Sequence, residues 1–116
     1  MSSEEKVVWK HIGEIEPIVT SHGVGAKRVI VSQAEIGKPV TQIAQTLLLA
    51  GEKIEKHTHS TMDEHFIVLE GICYIIVGEN KYQCKGGDYL YVPASKEHEV
   101  VVKENTKLIT IGVTNE

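Results

Sequence analysis

The sequence predicts an all-β protein, a sandwich or barrel. Three observations lead there. Short runs rich in Val, Ile, Thr and Tyr recur along the chain, the composition of strands. From Gly51 onward nearly every break between runs holds Gly, Asn, Asp or Ser, the residues that turn a chain. No segment has the 3.6-residue apolar period of a helix.

A chain of 116 residues has room for one core, and at this size a core forms without staples. The net charge of −4 and a single arginine, Arg28, argue against nucleic acid or an anionic membrane as partner. The polar, acidic first six residues carry no apolar leader. No apolar run approaches the ~20 residues of a membrane span. A cytoplasmic protein is expected. Cys73 and Cys84 are then expected reduced, as two small core residues.

The chain begins with a polar lead at 1–6. Residues 7–9, with the only tryptophan, are expected as a short strand that packs on the body or on a second subunit. Residues 14–20 are expected extended or looped around Pro17, and 21–25 as a turn. Strands follow at 27–33 and 41–49, with a turn at 36–39 between them. Further strands are expected at 52–59, 64–69, 72–77, 81–84, 88–92, 97–103 and 107–113. If Gly78-Glu79 is a two-residue turn, Val77 pairs with Asn80 and Cys73 falls opposite Cys84. The strand 72–77 (I-C-Y-I-I-V) is apolar on both faces. It is therefore either sandwiched within the fold or, the preferred reading, part of a homodimer interface.

Chemistry concentrates in residues 51–71 and 87–98. His57 and His59 are two apart on one strand, so they point to one face. Two imidazoles side by side are costly to bury unless something partners their nitrogens, and a metal ion does so. Glu64 returns beside them after a short loop. His98 lies in a later strand beyond Pro93, and joins them if that strand closes beside the first. His57, His59, Glu64 and His98 are the expected metal ligands. Imidazole suits Zn, Cu, Ni and Fe, and carboxylate also suits Mn. The expected order is Mn or Fe, then Ni or Zn. A three-His, one-Glu set leaves open positions on an octahedral ion.

The pattern G51-x5-H57-x-H59-x4-E64-x6-G71 resembles the first motif of the cupin family. G87-x5-P93-x-S95-x2-H98 is similar to the second. The second departs twice: Ser95 stands where the family usually has Gly, and Val102 where it often has Asn. The resemblance spans residue 47 to about residue 113. It implies a cupin-type double-stranded β-helix, a jelly-roll barrel with the metal inside. Residues 1–36 would form an N-terminal arm and first strands of this one domain, and 37–116 the barrel.

Other side chains carry weaker expectations. His65 should point away from the metal. Phe66 and Val68 share the parity of Glu64 and should form apolar cavity wall. Tyr91, Arg28 and Gln45 are candidate catalytic or substrate-holding groups, although packing and surface ion pairing suit Tyr91 and Arg28 at least as well. His11 and His22 are treated as surface residues. The expected function is a small metalloenzyme for a small organic molecule. It is either dioxygenase-like or a sugar-acid isomerase or hydratase, the latter similar to small cupins of uronate metabolism. The alternative is a non-catalytic metal-dependent binder of a small ligand or sugar. With few polar candidates for the cavity, the expectation tilts to a mainly apolar pocket.

Overall fold

The computed structural model describes residues 8–37 and 39–115. A 3-10 turn at Ile12–Glu14 precedes β1 (Ile18–Val19), β2 (Ala26–Ser32), a one-turn helix α1 (Gln33–Ile36), β3 (Val40–Leu48), β4 (Lys53–His57), β5 (Met62–Val77), β6 (Asn80–Lys85), β7 (Tyr89–Val92) and β8 (His98–Thr114). All pairing is antiparallel. The strands run in the order β1-β2-β3-β8-β5-β6, with β4 also on β8 and β7 also on β5. The expected all-β architecture is present. No helix among the described residues is long and apolar enough to cross a membrane.

Two strands differ from the sequence reading. Residues 64–69 and 72–77 are not separate strands but parts of the 16-residue β5, and 97–103 and 107–113 are parts of the 17-residue β8. The two run side by side from Met62 opposite Thr114 to Val77 opposite His98. Around residues 68–73 the register shifts at bulges, so the breaks that read as turns are bends within a continuous ladder. Gly71 sits there at φ +99°. A Cβ at this position would run into the Asn105 carbonyl oxygen and come within 2.6 Å of Thr106 Cα. Only glycine allows the two backbones to come so close.

The bend lets both halves of β5 bury side chains in one core. Phe66 and Val68 come from the first half, and Cys73 and Ile75 from the second. Leu48, Cys84, Val92, Val100, Val102 and Leu108 complete the cluster. Val102, at the position where Asn is frequent, is thus a core residue. Cys73 pairs directly with Cys84 across β5 and β6, and Val77 with Asn80, as the two-residue turn requires. Both cysteines are buried and unbonded. Burial and the neighbouring Cys84 push the Cys73 thiol up to about 12, and burial followed by Asp88 raises Cys84.

Two further expectations change, and of the two readings of 72–77 the one not preferred falls away. Trp9 is exposed and residues 8–10 form no strand, while Val7 lies outside the described residues. Residue 33 leaves the strand and opens α1. The Ser32 side chain accepts from the Glu35 backbone, and the Glu35 side chain accepts from the Ser32 backbone. This capping box, S-Q-A-E, was legible but too short to show a period. Finally, β5 beyond its bend is not sandwiched on both faces. Cys73 and Ile75 are buried, whereas Ile72, Tyr74 and Ile76 are only half-buried on the other side.

Candidate metal centre

Three elements bring the four expected ligands together. β4 ends in His57, with His59 in the loop that follows it. Glu64 is the third residue of β5, where β5 pairs with Val92 of β7. His98 opens β8 directly opposite His57. One donor atom from each of His57, His59, Glu64 and His98 lies within 4.8 Å of every other. Glu64 Oε1 is 3.2 Å from His98 Nε2 and 3.6 Å from His59 Nε2.

Two of the three imidazoles are held by their far nitrogens. His57 Nδ1 is 2.8 Å from the Glu55 carbonyl, and His98 Nδ1 is 2.9 Å from the Lys96 carbonyl. A carbonyl can only accept, so each Nδ1 carries a proton; the Nε2 of the neutral His57 ring then keeps its lone pair, and the Nε2 of His98 faces Glu64 Oε1, to which it donates when the ring is protonated. This is how ring nitrogens are set for a metal. The loop between β7 and β8 is fastened in the same region. Ser95 N–H donates to the His59 carbonyl at 2.7 Å, and Ala94 N–H to Asp63 Oδ1 at 2.8 Å. Ser95 takes φ +74°, the one non-glycine positive φ among the described residues. The backbone angle that Gly commonly supplies is therefore kept here by a serine tied to His59.

Proton affinities within the cluster diverge. Burial pulls His57 down, outweighing its bond to Glu55, and the nearby His98, His22 and His59 add to the depression. Burial also disfavours charge on His98, which is 2% exposed. There, however, the Glu64 carboxylate and the Lys96 carbonyl outweigh burial, and the net shift is upward.

Three of the four candidate ligands, His57, His59 and Glu64, border a cavity of about 160 Å3 that is also lined by Leu48, Ile54, Phe66, Val100 and Leu108. Phe66 is wall, as parity predicts, with its ring 6.1 Å from that of His98. Val68 is deeper, in the core. The lining surface is mainly apolar, as expected, but the polar side chains in it are not the expected ones: Lys27, Gln42, Thr46, Thr110, Thr20, Ser21 and His22 line this cavity. Lys27 Nζ is 3.4 Å from Gln42 Oε1.

His22 is exposed, as expected of a surface residue, but it is not remote from the cluster in space. Its ring centroid lies 4.5 Å from that of His57. β1 and β2 form a hairpin whose turn carries it. Thr20 Oγ1 donates to the Val24 carbonyl and accepts from the His22 N–H. Burial lowers the His22 pKa despite the pull of Glu64. The turn signal in T-S-H-G-V-G was legible, but which end of the barrel the turn covers was not.

Arg28 and Gln45 pair across β2 and β3 on the outer side of the sheet. They border a separate hollow with Gly13, Pro17, Ala26, Leu47 and Lys107. Arg28 donates to the carbonyls of Gly13 (2.9 Å) and Ile15 (2.6 Å). Tyr91 is also outside, beside His65, which shares a 2.7 Å hydrogen bond with the Tyr89 hydroxyl. His65 thus points away from the ligands, as alternation requires. His11 is exposed and packs against Trp9.

Known proteins share this architecture. A Thermotoga maritima structure described as a predicted oxalate decarboxylase superposes with a TM-score of 0.83 at 16% identity, over 92% of this chain and 99% of that one. Ectoine synthase from P. lautus gives 0.80 at 19% identity, over 92% and 78%. An uncharacterized protein of Methanocaldococcus jannaschii is 27% identical over 96 residues, 82% of this chain and 75% of the relative. The profile of the Cupin domain matches residues 45–113. That span includes His57, His59, Glu64 and His98, each on the strand or loop where it meets the others, and the chain belongs to the cupin family.

Proposed function

We propose that this protein is a metal-dependent enzyme acting on a small, oxygen-rich organic molecule, in the manner of a sugar-acid isomerase or hydratase. The observation that carries this reading is the set of polar side chains, Lys27, Gln42, Thr46, Thr110 and His22, that interrupt an otherwise apolar lining beside the three-His, one-Glu cluster. An apolar aromatic or aliphatic substrate would leave those groups desolvated without partners.

The donor set fits a divalent ion: the Nδ1 protons of His57 and His98 are committed to carbonyls, and Glu64 faces His98 and His59. Mn or Fe is the preferred ion, with Ni or Zn next. Such an ion, when bound, supplies Lewis-acid polarisation of a substrate oxygen. The chain itself supplies the rest. Gln42, Thr46 and Thr110 offer hydrogen bonds that orient hydroxyl or carbonyl groups. Phe66, Leu48 and Leu108 exclude water from one side. His22 is the one titratable side chain lining the cavity, among the described residues, that is neither a candidate ligand nor Lys27. Its lowered pKa favours the neutral ring near pH 7, able to accept a proton. We also propose that two chains pair through the half-buried apolar row Ile72, Tyr74 and Ile76.

The test is elemental analysis of the purified protein, followed by a turnover screen of hydroxy and oxo acids against aromatic substrates, with O2 consumption monitored. The expected result is about one divalent ion per chain and turnover of an oxygenated acid without O2 uptake. The double variant His57→Ala/His59→Ala should lose the ion yet remain folded, because the cluster lies beside a core that Leu48, Val68 and Ile75 already hold. Full metal occupancy in that variant, or turnover confined to apolar substrates with O2 consumed, sinks the reading.

A further inference from the structure

Lys27 is the cation of the cavity wall. It stands in β2 opposite Thr46 of β3, and it borders the same cavity as His57, His59 and Glu64. It is only partly exposed. Its contact is the neutral side-chain oxygen of Gln42 at 3.4 Å. Among the described residues no carboxylate forms an ion pair with it. Other lysines do find such partners: Lys10 with Glu35, Lys53 with Glu99, and Lys107 with Glu70.

A partly buried ammonium facing a neutral amide is poorly compensated. It gains most from an anion in the adjoining space, where the reduced dielectric strengthens the attraction. A divalent ion held by the cluster would leave the cavity net positive, since Glu64 is the one carboxylate lining it. Neutral substrates relieve none of that charge.

We propose that Lys27 is a specificity-determining residue that binds the carboxylate of the substrate, with Gln42 beside it, so that the enzyme selects small organic anions. This deepens the reading above and rests on it for the second point of contact, an oxygen-bearing group at the His57, His59, Glu64 and His98 cluster. The substrate class is then a compact hydroxy or oxo acid, or a dicarboxylate, that spans from Lys27 to the cluster. The volume of about 160 Å3 suits an acid of that size.

The test uses calorimetric binding of succinate, malate and neutral succinamide to the full chain, both metal-loaded and metal-free. The proteins are the wild type, Lys27→Met, Lys27→Gln, Lys27→Arg and the exposed-site control Lys103→Gln. A charge-assisted bond of this kind is worth roughly tenfold or more in affinity. The acids should therefore bind Lys27→Met and Lys27→Gln at least about tenfold more weakly than the wild type, with Lys27→Arg recovering part of the loss. Succinamide binding and metal affinity should stay within about twofold, and Lys103→Gln should match the wild type throughout. Two neutral variants, each checked by circular dichroism, guard against misfolding of either. Acid affinities within twofold of wild type in a folded neutral variant overturn the proposal. So does the absence of measurable acid binding to the wild type in both metal states. Metal content measured on the same samples tests the other reading separately. Lys27-dependent acid binding without any bound metal would remove the metal reading and leave the carboxylate contact standing.

Discussion

The histidines of the cluster differ because their partners differ. His57 and His98 each give an Nδ1 proton to a carbonyl, but only His98 also has the Glu64 carboxylate at its Nε2. His98 therefore binds its proton more tightly than an ordinary histidine, while burial leaves His57 neutral at lower pH. A metal must displace the His98 proton. Metal affinity should thus begin to fall above the ordinary histidine value of about 6.5 as pH is lowered. The sign reverses for the metal-free fold. The raised His98 pKa contributes stability that is present below about pH 6.5 and lost as pH rises through the folded value. Metal titrations between about pH 8 and about pH 5 check the first statement. An affinity that stays flat until well below pH 6.5 would show that the Glu64–His98 contact does not hold a proton as described.

At the scale of elements, the bend in β5 and β8 is what turns one long ladder into an enclosure. Gly71 meets two separate constraints, a positive φ and the close approach of residues 105 and 106. Gly51 also has positive φ, at +90°, but nothing lies within 4 Å of where its Cβ would be. Gly51→Ala should therefore cost about 1 kcal/mol, the backbone term alone. Gly71→Ala should cost about 2–4 kcal/mol, because backbone cannot move aside as a side-chain tip can. Urea denaturation of the two variants checks the ranking, and equal losses would mean that the crossing of β5 over residues 105–106 is not tight. The N-terminal hairpin of β1 and β2 has a different task. Its turn places His22 over His57, and its second strand places Lys27 in the wall.

For the whole molecule, the outward apolar side chains bear on assembly. Ile72, Tyr74 and Ile76 are half-buried, and Leu47, Leu49, Ile18 and Val19 are exposed. Light scattering behind size exclusion should give twice the chain mass of 12.8 kDa. Tyr74→Glu together with Ile76→Lys should shift the protein toward the monomer, since a charge buried at an interface without a partner is costly. A wild type that runs as a monomer at high concentration removes the dimer proposal.

The all-β class was legible because it depends on local features, and the four candidate ligands because they fall in the two stretches that resemble the cupin motifs. Turn residues mark strand ends, and the two-residue spacing keeps His59, in the loop after β4, close to His57 at the strand's end. Short spacing returns Glu64 to them, and Pro93 ends the strand before His98. The cross-strand pairing of Cys73 with Cys84 was legible for the same reason, as a two-residue turn sets its own register. The cavity wall was another matter. Arg28 and Lys27 are adjacent in β2, and alternation guarantees only that they face opposite ways. Which of them faces the ligands depends on how β2 docks against β3, a long-range register that no short window of residues contains. Gln45 lies outward for the same reason, while Gln42, Thr46 and Thr110 line the cavity. The sequence by itself thus determined the strand class, through turns and period-two alternation, and pointed to the candidate ligand cluster, through its two cupin-like motifs. Only the tertiary structure decided which polar side chains, a lysine among them, enter the mainly apolar cavity beside that cluster, because that requires the pairing of strands far apart in the chain.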